Sequence, residues 1–201
     1  RRAFYNVYVP GCTEHYLVHI MRGHRDFLPE LDFVAELDGR LIGNIMYTRS
    51  WLTDGDGNRR EILTFGPVSI LPECQRKCYG KQLMEHSFAR AREMGYGAVV
   101  IFGSPANYVA RGFVCCKKHR VSVGGGKYRV SLEGGRYPAA MLVKELIPGT
   151  LAGNTWTYTD SPVMHFSEEE ARRFDETLPP MEKRRTPSQE EFYIMSHATL
   201  L

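Results

Sequence analysis

The sequence has no run of about 18 apolar residues, the length a membrane-crossing helix needs, so no membrane span is expected. It opens Arg1-Arg2 with no Met and shows no signal peptide, so it reads as a fragment whose first element is missing. Its five cysteines, Cys12, Cys74, Cys78, Cys115 and Cys116, include no C-x-x-C pair. That speaks against structural zinc, and an odd count in a chain this long fits a secreted disulfide framework poorly. A reducing cytoplasm is the expected location, with no metal. Strong charge of one sign is also missing: 26 Lys and Arg face 23 Asp and Glu, a net +3. This is too mild to argue for nucleic acid, yet it leaves room for a basic pocket around an anionic cofactor. No internal repeat or low-complexity tract is evident. What remains is 201 residues of ordinary globular composition, 43% hydrophobic and 24% charged. That is enough for one domain with a real core.

Apolar periodicity orders the chain. Residues 14–22 place Tyr16, Leu17, Ile20 and Met21 on one helical face. Asp32 to Leu37 alternates apolar and charged, and Asp38-Gly39 then signals a tight hairpin into a strand from Leu41 to Trp51. Asp54-Gly-Asp-Gly-Asn58 resembles a calcium loop, but the position that needs a bidentate carboxylate is Phe65, so it reads as a hairpin tip. Glu61 to Leu71 is a third strand, and Lys81 to Met94 a helix that buries Leu83, Met84, Phe88, Ala91 and Met94 and stops at Gly95. A buried strand comes next at Ala98–Phe102, then a short helix at Asn107–Arg111, and strands at Phe113–Cys116 and Tyr137–Glu145, with Gly124-Gly125-Gly126 as a connection between them. Ser167 and Ser188 each open a capping-box pattern before a helix in the last third. The order predicts an α/β (α+β) sandwich with a mixed, mostly antiparallel sheet. Residues 1–146 form the main domain, and 147–201 a helical extension packed on the domain or on a partner.

The loop Pro72-Glu-Cys-Gln-Arg-Lys-Cys-Tyr-Gly-Lys81 comes after a buried strand and opens a helix. A helix start offers free backbone N–H groups and the positive end of the dipole, which phosphate oxygens need. Arg76, Lys77 and Lys81 add charge, and Gly80 lets the backbone come close to a ligand. Taken alone, the loop supports an anion site or, equally, a polar loop with solvated lysines.

Gln75-Arg-Lys-Cys-Tyr-Gly80 resembles the Q-x-x-G-x-G motif of the GNAT N-acetyltransferase superfamily. Phe65-Gly-Pro-Val-Ser-Ile-Leu-Pro72 before it, Gly95 to Phe102 after it, and Gly103-Ser-Pro-Ala-Asn-Tyr-Val-Ala-Arg-Gly-Phe113 are similar to the family's flanking segments. The likeness covers about residues 61–113, and the hairpin at 32–51 agrees in type and order. It departs from the pattern at Cys78, where the family has its first glycine, and at Asn107, where it has the first Tyr of a pair. The family's usual first strand would lie before Arg1.

The resemblance implies acetyl transfer from acetyl-CoA to an amine by direct attack on the thioester. It implies that the backbone of Val68, Ser69 and Ile70 pairs with the pantetheine arm, with the Val68 N–H polarising the carbonyl oxygen. Gln75, Arg76, Lys77, Cys78, Tyr79, Gly80 and Lys81 would hold the pyrophosphate, and Asn107 would border the cofactor. Tyr108 is the candidate acid for the departing thiolate, because a phenol and a thiol have similar pKa values. Glu61, at the strand start, is the candidate base. Glu14 and His15 on the first helix, and Tyr193 and His197 on the last, are candidates for the acceptor pocket. The acceptor expected is a small-molecule amine. A catalytically weak acyl-CoA sensor is the alternative, and a third reading uses the extension for homodimerisation.

Overall fold

The computed structural model describes residues 1–123 and 137–200. The predicted Gly124–Gly126 connection lies outside them. Helix α1 (Glu14–Met21) is succeeded by β1 (Phe33–Leu37), β2 (Arg40–Thr53) and β3 (Arg59–Ile70). Asp38 and Gly39 take φ of 51° and 75°, the left-handed pair that a two-residue hairpin requires. At the next turn the Asp54 Oδ1 accepts from the N–H groups of Asp56 at 3.0 Å and Asn58 at 2.9 Å, so the acidic tip ties itself off.

Helix α2 (Tyr79–Glu93) crosses over to β4 (Ala98–Phe102), which lies parallel to β3. Then come α3 (Pro105–Tyr108), β5 (Val114–Cys115), β6 (Val121–Val123), β7 (Tyr137–Pro138), β8 (Met141–Glu145), β9 (Trp156–Thr159), α4 (Glu168–Glu176), α5 (Pro187–His197) and β10 (Thr199–Leu200). The main sheet has eight strands in the order β5-β8-β4-β3-β2-β9-β6, with β1 also on β2. Among the described residues, only β3/β4 and β6/β9 run parallel. This is the mixed, mostly antiparallel sheet flanked by helices that the element order predicts.

One face of the sheet packs on α2 through Ile45, Tyr47, Leu63, Phe65, Leu83, Phe88, Val99 and Ile101. The predicted apolar face of α2 includes one residue that apolar periodicity does not find. Ser87 is fully buried, and its hydroxyl pairs with the Tyr47 phenol at 2.7 Å. The opposite face is covered by two groups, one around Leu52, Ile62, Val100, Trp156 and Tyr158, the other around Met21, Met46 and Val163.

Three expectations need correction. The stretch 137–145 is not one strand. It splits at Ala139-Ala140, so that β7 pairs with β10 while β8 joins the main sheet against β4 and β5. The Ser167 capping box forms, with bonds of 3.0 and 3.1 Å, but the one at Ser188 does not. Helix α5 starts two residues earlier, at Pro187 with Thr186 as its N-cap, and the Ser188 hydroxyl donates to the Val7 carbonyl at 2.8 Å instead. Proline at the first helical position needs no donor partner, which sets that start. Finally, β9 comes from the 147–201 segment and pairs with both β2 and β6, so this segment supplies a strand to the main sheet as well as two helices.

Gly43 on β2 has no room for a side chain against β3. A Cβ there would sit 2.4 Å from the Ser69 carbonyl oxygen and 2.5 Å from Ile70 Cδ1. Gly43→Ala is expected to destabilise the domain by about 1–3 kcal/mol through overpacking. A lower urea midpoint with an unchanged slope would report it.

Candidate functional site

The parallel pair β3/β4 is registered only at Leu63↔Val99, so from there to Ile70 β3 has no registered partner on β4 and leaves an opening in the sheet. The register of β3 on β2 shifts between Ile45↔Val68 and Tyr47↔Phe65, so β3 carries an extra residue at Gly66-Pro67. Such a bulge bends the strand and re-aims its last residues. Beyond it, the Leu71 N–H donates to the Ile42 carbonyl at 2.7 Å. With a period of two, the Ser69 backbone faces β2 as well, and the N–H groups of Val68 and Ile70 face away from it, into the opening. The Ile70 carbonyl accepts from Gln75 Nε2 at 3.1 Å, which folds the next loop back on the strand end.

That loop runs through a 3₁₀ turn at Pro72–Cys74 into α2. Arg76 and Cys78 have φ of 61° and 64°. Cys78 caps the helix N-terminus with ψ of 2°, so a residue with a Cβ occupies the left-handed position that favours glycine. The first i→i−4 bond of α2 runs from Gln82 to the Cys78 carbonyl at 3.1 Å. The N–H groups of Tyr79, Gly80 and Lys81 precede it and have no acceptor within the helix. A Cβ on Gly80 would lie 3.4 Å from Ile70 Cγ1, so the helix start packs closely on the strand end. Lys81 makes only a 3.7 Å contact with Glu85. Glu73, beside the loop, is held below the usual carboxylate range, first by its own backbone N–H and then by Arg40, which it meets at 2.7 Å.

Across the opening, Tyr108 ends α3. Its ring packs on Phe65 and Phe113, each at 5.8 Å. A Cβ on Gly103 would come within 2.6 Å of its Cε2, so the ring lies directly on the backbone after β4. Burial, with a smaller contribution from Tyr8, raises the phenol pKa, which keeps the hydroxyl protonated across the neutral range. Asn107 beside it is exposed.

The other candidates lie elsewhere. Glu61 is on β3 seven residues before Val68, about 23 Å along the strand at roughly 3.3 Å per residue. There it meets Arg49 at 3.3 Å and accepts from the Tyr96 hydroxyl at 3.1 Å, so it is not a base for this opening. His15 does not line a cleft. Its Nε2 lies 3.0 Å from Asp175 Oδ1 on α4, although the angle is too poor for a hydrogen bond, and its ring packs on Phe174 at 5.4 Å. Tyr193 and His197 stack on each other at 4.2 Å on an exposed face of α5. Glu14 is the first residue of α1 and turns back on the segment before it, accepting from Cys12 Sγ at 3.2 Å and the Thr13 N–H at 3.1 Å. Sequence reasoning missed Tyr8, a half-buried phenol whose pKa is raised by burial and then by Glu14. It sits in an irregular segment, where no periodicity marks it.

His15 gives a pH signature. Burial lowers its pKa against the opposing pull of Asp175. The unfolded chain, with a pKa of about 6.5, therefore binds more protons than the folded one just below that value. Stability is expected to fall as the pH drops from about 6.5 toward the depressed pKa. His15→Phe should flatten this slope in denaturant titrations at a series of pH values.

Among the described residues, no group of three or more His, Cys, Asp or Glu is arranged to hold a metal, and no helix is long and apolar enough to cross a membrane. All five cysteines are free.

A model of the Acetyltransferase (GNAT) family matches residues 1–114. Over 88 residues the chain is 27% identical to the uncharacterized N-acetyltransferase YjhQ of Escherichia coli (strain K12), covering 44% of this chain and 48% of that protein. The chain thus spans about half the length of this curated relative. Among solved structures it is similar to the GNAT family N-acetyltransferase YhbS from Escherichia coli in complex with CoA. The TM-score is 0.63 at 25% identity, over 77% of this chain and 79% of that one. A GNAT family acetyltransferase from Brucella melitensis in complex with acetyl-CoA is 29% identical over 56% of this chain and 70% of that one, with a TM-score of 0.48.

Proposed function

Because the chain belongs to the acetyltransferase (GNAT) family, we propose that it moves the acetyl group of acetyl-CoA to a primary amine of a small acceptor. The observation that carries this reading is one juxtaposition. The N–H groups of Val68 and Ile70, turned away from β2, stand next to the N–H groups of Tyr79–Lys81 that have no acceptor within their helix. A ligand with an amide-rich arm and a pyrophosphate needs both: a strand edge to pair with and a helix start for its phosphates. The CoA held by YhbS supports the same assignment.

In this reading the outward N–H groups of Val68 and Ile70 pair with the pantetheine arm while Ser69 between them keeps its backbone on β2, and Gln75 through Lys81 hold the pyrophosphate, with Asn107 at the cofactor's edge. The Val68 N–H polarises the thioester carbonyl; a donor of this kind is worth about 3 kcal/mol in the transition state. The amine, neutral once water has taken its proton, attacks the carbonyl carbon; the carbon–sulfur bond breaks as Tyr108 gives its proton to the departing thiolate, and the proton lost from the new amide nitrogen passes through water to restore the phenol. The phenol's raised pKa suits it to remain a donor until that moment. Residues 1–146 carry this chemistry, and 147–201 serve as an extension that completes the sheet.

Isothermal titration of acetyl-CoA in reducing buffer tests the first step, and mass detection of an acetylated amine the second. Absence of binding would sink the proposal. Cys78 favours a second reading, an acyl-CoA sensor that does not turn over, because a Cβ stands at the left-handed loop position. Tight binding without transfer to any of a broad set of amines would select it.

A further inference from the structure

Tyr108 ends a helix too short to hold itself. Helix α3 has four residues and no side-chain cap at Ser104, whereas isolated helices are marginal below about 12 residues. It runs straight into a 3₁₀ turn at Val109–Arg111, which closes on Gly112 with φ of 84°. The Phe113 N–H donates back to the Tyr108 carbonyl at 3.3 Å. The chain then enters β5, which pairs with β8 through Val114 and Cys115 alone.

A bond from outside ties this turn to the sheet. Lys144 Nζ, on β8, donates to the Arg111 carbonyl at 2.8 Å. Strand β8 lies between β5 and β4, so the sheet fixes where the donor stands. Gly112 makes room for it: a Cβ there would come within 2.6 Å of Nζ. Nζ also stands 5.6 Å from the centre of the Phe88 ring. That ring packs on Phe65 and Phe113, the same two rings that hold Tyr108. Burial, and then Arg92, lower the amine's pKa against the pull of Glu85. A donor partly withdrawn from water binds a carbonyl more strongly than a surface lysine does.

We propose that Lys144 is a positioning residue for the acetyl transfer: by pinning the Arg111 carbonyl to β8, it holds Tyr108 where the phenol reaches the departing thiolate. The inference rests on the acetyl-transfer reading above. Lys144 acts through the turn and the Tyr108 backbone, not on substrate or cofactor. A proton donor must come within about 2.6–3.2 Å of its acceptor, so a shift of about 1 Å at the end of the ring is enough to slow the step. The loop from Pro72 to Lys81 stands across the opening and should keep its affinity for the cofactor.

Two readouts test this. Fluorotyrosine labelling gives Tyr108 a fluorine resonance, identified by its loss in Tyr108→Phe. Lys144→Met removes the donor and keeps the apolar stem, and is expected to move or broaden that resonance. Lys144→Arg, which restores an N–H donor, should return it toward the wild-type position. Kinetics use acetyl-CoA with whichever of phenethylamine, spermidine and glycinamide the wild type acetylates fastest. There Lys144→Met is expected to lower kcat about tenfold, with acetyl-CoA Kd within about twofold. Added to Tyr108→Phe, it should lower kcat by less than about twofold further, because the group it positions is gone. Lys144→Gln, whose amide ends one bond short of the carbonyl, should give a milder form of the same pattern and serves if the methionine variant does not fold. An unmoved Tyr108 resonance, equal kcat losses in both backgrounds, or a matching loss of acetyl-CoA affinity would each overturn the inference. Wild-type protein that acetylates none of the three amines would instead refute the reading beneath it, and the resonance would still decide whether Lys144 seats Tyr108.

Discussion

Tyr108→Phe is expected to lower kcat by about two to three orders of magnitude while leaving acetyl-CoA affinity nearly unchanged. The substitution removes one oxygen and keeps the ring. The contacts with Phe65 and Phe113 at 5.8 Å, and the close seat on Gly103, survive it. Folding and cofactor binding should therefore be preserved, and the loss should appear in the step where the thiolate leaves. Single-turnover kinetics alongside titration calorimetry separates the two. An unchanged kcat would remove Tyr108 from the chemistry and leave it as an aromatic support. The pH profile supplies a second check: burial raises this phenol's pKa, so no loss of rate from its ionisation is expected through the neutral and mildly basic range.

Cys78 should produce the other large effect, and in both directions. At φ of 64° its Cβ is crowded, and a left-handed residue other than glycine costs roughly 1–2 kcal/mol. Cys78→Gly relieves that crowding at the expense of greater freedom in the unfolded chain. A net gain of about 1 kcal/mol is expected, seen as a rise in Tm of about 2–4 °C for a domain of this size. Acetyl-CoA should bind more tightly, because the backbone N–H groups of the loop become more approachable. Cys78→Val reverses the sign, since a β-branched residue is a poorer fit to this angle. It should lower Tm and weaken acetyl-CoA binding by tenfold or more, about 1.4 kcal/mol. If both variants bind acetyl-CoA as the parent does, the loop does not contact the cofactor at this position. Thermal melts and calorimetry on the three proteins decide it.

These two residues are legible for different reasons. Tyr108 and Cys78 stand in short segments whose residue types and spacing resemble those of a family, and the local chain reproduces the expected turn, helix start and strand end. Glu61 lies away from the opening because position along a strand is also distance. Seven residues of extended chain carry it to the far end of β3, where Arg49 and Tyr96 engage it. His15 lies away from it because helical spacing fixes which residues share a face but not what that face meets, and here it meets Asp175 and Phe174 of α4.

What the sequence by itself determined is local. The Asp38-Gly39 hairpin, the apolar face of α2, the buried strand at Ala98–Phe102 and the Ser167 capping box all arise from backbone angles and periodicities set within a few residues. The loop from Pro72 to Lys81 belongs with them, because a helix start creates its own free donors. The tertiary structure decided what depends on partners distant in the chain. It opened β3 from β4 beyond Leu63, seated β9 between β2 and β6, and bound residues 1–11 to 179–189 through Asn6. Hydrogen bonds between segments nearly 180 residues apart leave no periodic trace in either, so only the folded chain reveals which donors and acceptors meet.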